Sequence, residues 1–81
     1  TKVLVIDDDR AIRHVIERGL VGDGTSVFHA IKGSDALQLV ESERPDVALI
    51  DVFMPEMNGL ELFKKIRAID RKLPMIFVTG D

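Results

Sequence analysis

Aspartate side chains follow two apolar stretches of the chain, and this placement suggests metal-dependent phosphoryl chemistry. Residues 3–6 are all aliphatic and run directly into Asp7, Asp8 and Asp9, and residues 47–50 run directly into Asp51. Carboxylates that converge at one place repel one another unless a cation lies between them, and oxygen ligands of this kind suit Mg²⁺. With such a metal bound, one carboxylate can act as a nucleophile toward a phosphoryl group.

The apolar stretches predict the strands that bring these carboxylates together. Short apolar runs bounded by polar or turn residues are typical of strands buried on both faces of a parallel sheet. Such runs occur at residues 3–6, 47–50 and 75–78, the last one ending at Thr79 and Gly80, and residues 26–31 form a shorter, more mixed run. The interruptions by Ser26 and His29 favour an edge position for that strand.

Helical segments separate the predicted strands. Asp9 is placed to cap a first helix, Ser34 to cap a second, and a third is predicted from beyond Gly59 to about Asp70. The resulting order, β-α-β-α-β-α-β, predicts a doubly wound parallel α/β sheet of the flavodoxin-like type, with strand order 2-1-3-4. In this order the first and third strands are neighbours at the switch point, where such sheets bind ligands. We therefore expect Asp7, Asp8, Asp51 and Thr79 to surround one site.

Length and composition restrict the class of protein. Eighty-one residues predict a single domain, and the net charge of −3 gives no indication of a nucleic-acid surface. Cysteine is absent from the sequence, which excludes disulfides and thiolate metal sites and is compatible with a cytoplasmic location. No apolar run approaches the roughly 20 residues that a membrane span needs, so we expect no membrane association.

Three motifs together resemble the receiver domain of bacterial two-component response regulators, the CheY-like family. They are Val-Leu-Val-Ile-Asp7-Asp8-Asp9, the stretch from Asp51 through Met-Pro55 to Asn-Gly59, and Pro74-Met-Ile-Phe-Val-Thr79-Gly80. The resemblance spans all 81 residues. It implies a signalling phosphoacceptor, not a conventional enzyme, in which Asp51 takes a phosphoryl group from a sensor histidine kinase or a phosphotransfer protein.

The resemblance also implies roles for the neighbouring residues. Asp8, Asp51 and the backbone carbonyl of Phe53 would bind Mg²⁺, Asp7 would act on the metal through water, and Thr79 with Gly80 would contact the phosphoryl group. Four residues of the first predicted helix would belong to the surface that docks the kinase: Arg10, Arg13, His14 and Glu17.

Receiver domains continue beyond the fourth strand with a helix, a strand and a helix. The sequence is therefore expected to represent the first two-thirds of a receiver domain, truncated after residues 75–78. An apolar edge strand without a neighbour is an association site. We accordingly predict self-association through the edge of the fourth strand when the chain is on its own.

Two other functions fit parts of the same pattern. Asp7 and Asp9 match the D-x-D motif of haloacid-dehalogenase-like phosphatases, with Asp7 as nucleophile and Asp9 as general acid, and residues 78–80 match the next motif. That interpretation leaves Asp51 without a role, and Ala11 stands where Thr or Val is usual. The third possibility is an interaction module on the same fold that works without phosphorylation. At the level of single residues, Asp51 as a turn carboxylate and Asp7–Asp9 as helix caps are the simpler alternatives.

Overall fold

A single parallel sheet organises the chain in the computed structural model, which describes residues 1–7, 24–51 and 59–78. The strands are β1 (Lys2–Ile6), β2 (Ser26–Ala30), β3 (Val47–Asp51) and β4 (Met75–Val78), and the helices are α1 (Gly33–Glu43) and α2 (Gly59–Ile69). The order across the sheet is β2-β1-β3-β4 and every pairing is parallel. The predicted α/β class and the strand order 2-1-3-4 are confirmed.

The register of the sheet aligns the carboxyl ends of its strands. Ile6 of β1 lies beside Ala30 of β2 and Ile50 of β3, and Asp51 lies beside Val78 of β4. Since all four strands run in the same direction, the residues that follow them lie at one edge of the sheet. The site predicted from the sequence lies at this edge.

The main core fills the space between the sheet and the two helices. Alternate strand residues Leu4, Ile6, Ala48 and Ile50 point to this side, where they pack with helix residues. Those helix residues are fully buried: Ala36 and Val40 of α1, and Leu62 and Ile66 of α2. The intervening residues Val3 and Val5 point to the opposite face and are also buried. Burial on both faces explains why these strands are continuous apolar runs instead of alternating ones.

The start of α1 differs from the sequence prediction. The sequence predicts Ser34 as the N-cap, but the helix begins at Gly33 and the N-cap is Lys32, whose side chain forms no capping hydrogen bond. The Ser34 prediction is therefore wrong, and Ser34 lies inside the first turn, where its side chain is exposed. Serine is a preferred N-cap residue, and Ser34 lies just before the apolar residues of α1. The N-cap position is nevertheless two residues earlier, at Lys32.

The end of α1 has a left-handed cap. Arg44 has φ 49° and ψ 63°, and its N–H donates to the carbonyl of Val40 at 3.3 Å. Glycine is the usual residue in this conformation, because a β-carbon makes it costly. Lys2 fixes the same corner, since its Nζ donates to the Glu43 carbonyl at 3.0 Å and its backbone N–H to Asp46 Oδ2 at 2.7 Å.

Both outer strands of the described sheet were predicted as edges. β2 has the mixed composition that we associated with an edge strand, and within the described ranges only β1 pairs with it. At the other end, Ile76 and Phe77 of β4 are 53% and 42% exposed although they point to opposite faces. The Phe77 ring contacts Phe63 of α2, with centroids 5.8 Å apart, and Arg67 lies over the Phe63 ring.

The first predicted helix, with its cap Asp9, lies outside the described residues.

Candidate functional site

Asp7 and Asp51 lie next to each other at the carboxyl ends of the two central strands. The pairing of β1 with β3 runs in register to Ile6 and Ile50, and each aspartate is the next residue of its chain segment. Neighbouring strands of a sheet are about 4.8 Å apart. By alternation both carboxylates point to the face that Val5 and Leu49 share. The structure therefore brings together the two predicted site residues that fall within its described part.

Both aspartates are buried, which is unusual for this residue type. Asp7 is 2% exposed and Asp51 is 8% exposed, and among the described residues they are the buried charged side chains. Carboxylates are seldom buried unless paired groups or a metal compensate for the lost hydration. Two charged carboxylates on neighbouring strands repel each other. The fold therefore concentrates negative charge at this position.

A backbone hydrogen bond that no sequence motif indicates holds Asp7 in place. The Asp7 N–H donates to the Ala30 carbonyl at 3.0 Å, so the ladder between β1 and β2 continues one residue beyond β1. Asp51 is itself a strand residue and pairs with Val78. Both carboxylates consequently project from backbone that the sheet fixes, which favours a preformed site.

Other predicted site residues lie outside the described residues: Asp8, Phe53, Thr79, Gly80, Arg10, Arg13, His14 and Glu17. Thr79 follows Val78, which is the neighbour of Asp51 across the sheet. Within residues 1–7, 24–51 and 59–78, no three carboxylate, histidine or cysteine side chains form a group that would hold a metal. The described part thus contributes two carboxylates to the predicted metal site.

Comparison with known proteins identifies the family. The family model of the response regulator receiver domain matches residues 3–81, which is nearly the whole chain. The chain belongs to the receiver domain family. As a receiver domain it is a two-component signalling module, and the resemblance drawn from the three sequence motifs is confirmed.

Individual relatives agree with this assignment. The chain is 42% identical over 79 residues to the response regulator MprA of Mycolicibacterium vanbaalenii, covering 98% of this chain and 34% of that protein. A CheY-like receiver domain structure from Methanospirillum hungatei matches all of this chain and 65% of its own, with TM-score 0.91 and 32% identity. The chain therefore spans about a third of the curated relative and two-thirds of the receiver domain structure.

A third similar structure is a complex with a kinase. The crystal structure of histidine kinase ThkA with response regulator protein TrrA contains a chain that this receiver domain matches with TM-score 0.87 and 30% identity. The match covers 99% of this chain and 69% of that one.

Neither α1 nor α2, the helices of the described residues, is long and apolar enough to cross a membrane.

Proposed function

We propose that this receiver domain accepts a phosphoryl group on Asp51 from a phosphohistidine of a sensor histidine kinase or a phosphotransfer protein. The observation that carries the proposal is the burial of Asp7 and Asp51 side by side at the carboxyl edge of the sheet. In a receiver domain such a site has a signalling role, and the ThkA–TrrA complex supports a histidine kinase as the partner class. We further propose that the domain acts in the cytoplasm.

In the proposed step a carboxylate oxygen of Asp51 attacks the phosphorus of the phosphohistidine. The new P–O bond forms as the P–N bond breaks, and the imidazole leaves with the electron pair of that bond, neutral once its other nitrogen carries the proton. The product is an aspartyl phosphate. Strand β3 holds Asp51 on fixed backbone, so the nucleophile needs little reorganisation to reach the attacking position.

The residues of the site fit Mg²⁺. Proteins hold this ion with one or two carboxylates and leave several positions to water, and Asp7 with Asp51 provides two oxygen donors that are already buried together. In our proposal Asp8, Asp51 and the Phe53 carbonyl bind the metal directly and Asp7 does so through water. When bound, Mg²⁺ supplies positive charge that offsets the carboxylates and the phosphoryl oxygens. Thr79 and Gly80 would donate hydrogen bonds to the phosphoryl oxygens.

Beryllofluoride, which mimics an aspartyl phosphate, tests this proposal in ¹H–¹⁵N NMR spectra. We expect the amide signals of β1 and β3 at the carboxyl edge to shift when Mg²⁺ and beryllofluoride are both present. Asp51→Asn is expected to abolish the response. Glu61→Gln, which removes an exposed carboxylate from the first turn of α2, serves as the matched control and is expected to keep it.

The same experiment separates the alternative functions. A response that survives Asp51→Asn and disappears only in Asp7→Asn would assign the nucleophile to Asp7, as in the haloacid-dehalogenase-like phosphatases. The absence of any Mg²⁺-dependent response would favour an interaction module that works without phosphorylation. The family match and the burial of Asp51 both favour the receiver function over the phosphatase, in which Asp51 has no role.

A further inference from the structure

A groove lies at the β2 side of the sheet, on the side of the molecule opposite to β4. It has a volume of about 460 Å³ and is lined by His29 of β2 and by Asp35, Gln38, Leu39 and Ser42 of α1. Three of these, Asp35, Gln38 and Ser42, are exposed. None of the residues assigned to the phosphoacceptor site contributes to this groove.

Beside the groove, the outer side of β2 carries backbone groups that point away from the sheet. The Ser26 N–H donates to the Thr1 carbonyl at 2.8 Å, and the Ala30 carbonyl accepts from the Asp7 N–H at 3.0 Å, so Ser26 and Ala30 face β1. Because successive residues of a strand direct their N–H and C=O groups to opposite sides, Val27 directs its own outward. No strand of the described residues pairs with this side of β2.

The groove follows this outer side of β2. Leu4, Ile6 and Ala30 point to the face that packs against the helices. His29 is the neighbour of Val5 in the register, so its side chain belongs to the opposite face. A groove that touches both His29 and the exposed side of α1 must therefore run past the strand edge itself.

The chemistry of the lining indicates which side chains would fit there. Asp35 is the acidic residue among those that line the groove, and none of the lining residues is Lys or Arg. Glu41 and Glu43 of the same helix lie outside the groove, and Glu43 is already 3.7 Å from the Lys2 Nζ. The lining combines the Asp35 carboxylate with an amide and a hydroxyl, all of which accept hydrogen bonds from Arg or Lys. On the other face of the sheet, Val27 offers a half-buried apolar surface next to the same edge.

We propose that the outer edge of β2 binds an extended peptide segment of a partner protein whose residues alternate between basic and β-branched. The segment adds a fifth strand, with backbone hydrogen bonds to Val27, basic side chains over Asp35, Gln38 and Ser42, and β-branched side chains on the Val27 face. The opposite edge, β4, presents apolar Ile76 and Phe77, so it gives no preference for positive charge. This docking surface does not depend on phosphorylation of Asp51.

The test is an NMR titration of the ¹⁵N-labelled 81-residue chain with a blocked peptide, Thr-Val-Arg-Val-Arg-Val-Arg-Val-Thr. We expect shifts at residues 26–31 and along the groove side of α1. Asp35→Asn is expected to weaken binding about two- to fivefold, the effect of one exposed ion pair. Glu41→Gln removes the same charge from the same helix outside the groove and is expected to leave the affinity unchanged.

Two further peptides test the preference for positive charge and the backbone pairing with Val27. A peptide with Glu in place of Arg is expected to bind more weakly, and a peptide with alternate backbone nitrogens methylated is expected not to bind, because it cannot pair with Val27. Four results would each overturn the proposal. They are shifts centred on β4, equal binding of the Glu and Arg peptides, equal effects of Asp35→Asn and Glu41→Gln, and the absence of shifts at millimolar peptide. None of these outcomes depends on whether Asp51 responds to beryllofluoride.

Discussion

At the scale of single residues, we predict that the negative charge of Asp51 lowers the stability of the fold when no metal is bound. A carboxylate that is 8% exposed beside another buried carboxylate loses hydration and gains repulsion. Functional sites often retain such unfavourable arrangements because the chemistry needs them. Asp51 therefore differs from the apolar core residues around it, whose burial stabilises the protein.

The variant Asp51→Asn tests this cost. We expect the free energy of unfolding in the absence of Mg²⁺ to stay equal or to rise by about 1 kcal/mol, because the change removes a like-charge repulsion and keeps the side-chain shape. Urea denaturation followed by circular dichroism measures it. The matched control Glu61→Gln is expected to lower the free energy of unfolding by about 0.3–1 kcal/mol, because it removes a negative charge from the first turn of α2. A loss above about 2 kcal/mol in Asp51→Asn would mean that the Asp51 charge stabilises the fold.

At the scale of secondary-structure elements, the C-terminus of α1 is strained at one position. Arg44 adopts a left-handed conformation with φ 49°, which costs an L-residue roughly 1–2 kcal/mol relative to glycine. We predict that Arg44→Gly raises the free energy of unfolding by up to about 1 kcal/mol, since part of the gain is offset by the freer unfolded chain. Gln38→Gly, an exposed change within the same helix, is expected to lower it by about 1 kcal/mol. Equal destabilisation by both variants would contradict the argument.

Residues of the first predicted helix are expected to determine which kinase docks on this domain. Arg10, Arg13, His14 and Glu17 belong, by resemblance to the family, to the docking surface, and they lie outside the described residues. Replacing these four by the corresponding residues of another receiver domain is expected to change which kinase transfers its phosphoryl group. Phosphotransfer rates from two purified kinases would measure the change. The four substitutions themselves are expected to have little effect on the free energy of unfolding. Unchanged rates from both kinases would show that docking occurs elsewhere.

The sequence predicted the elements better than their ends. Short continuous apolar runs bounded by turn or polar residues, such as residues 3–6, favour doubly buried strands, and the alternation of strands with helices favours the observed strand order. The start of α1 did not follow, because Ser34 is a preferred N-cap residue type but the helix begins before it, at Gly33, without a side-chain cap. Of the site, the sequence indicated that Asp7 and Asp51 converge. The hydrogen bond from Asp7 to Ala30 and the groove beside β2 depend on tertiary placement, which has no local signal in the sequence.

At the scale of the whole molecule, the exposed apolar residues of β4 predict association of the 81-residue chain when it is prepared alone. Ile76 and Phe77 are about half exposed on opposite faces of the strand, and within the described residues only β3 pairs with β4. Two such edges can pair symmetrically. Light scattering over a concentration series is expected to show a dimer or a larger assembly.

A pair of variants locates the association. Ile76→Lys places a charge on the β4 edge and is expected to shift the chain toward the monomer, whereas Leu60→Lys, the same kind of change on the exposed side of α2, is expected to have no effect. A folded monomer at every concentration of the unaltered chain would show that the β4 edge is not an association site.

The central claim, that Asp51 is the phosphoacceptor, is tested most directly by identifying the modified residue. The chain is incubated with Mg²⁺ and a small phosphoryl donor such as acetyl phosphate, the acyl phosphate is trapped by borohydride reduction, and the peptides are mapped by mass spectrometry. We predict that the modification is found at Asp51 and is absent from Asp7, although both carboxylates are buried at the same edge of the sheet. Modification at Asp7 with Asp51 untouched would contradict the account.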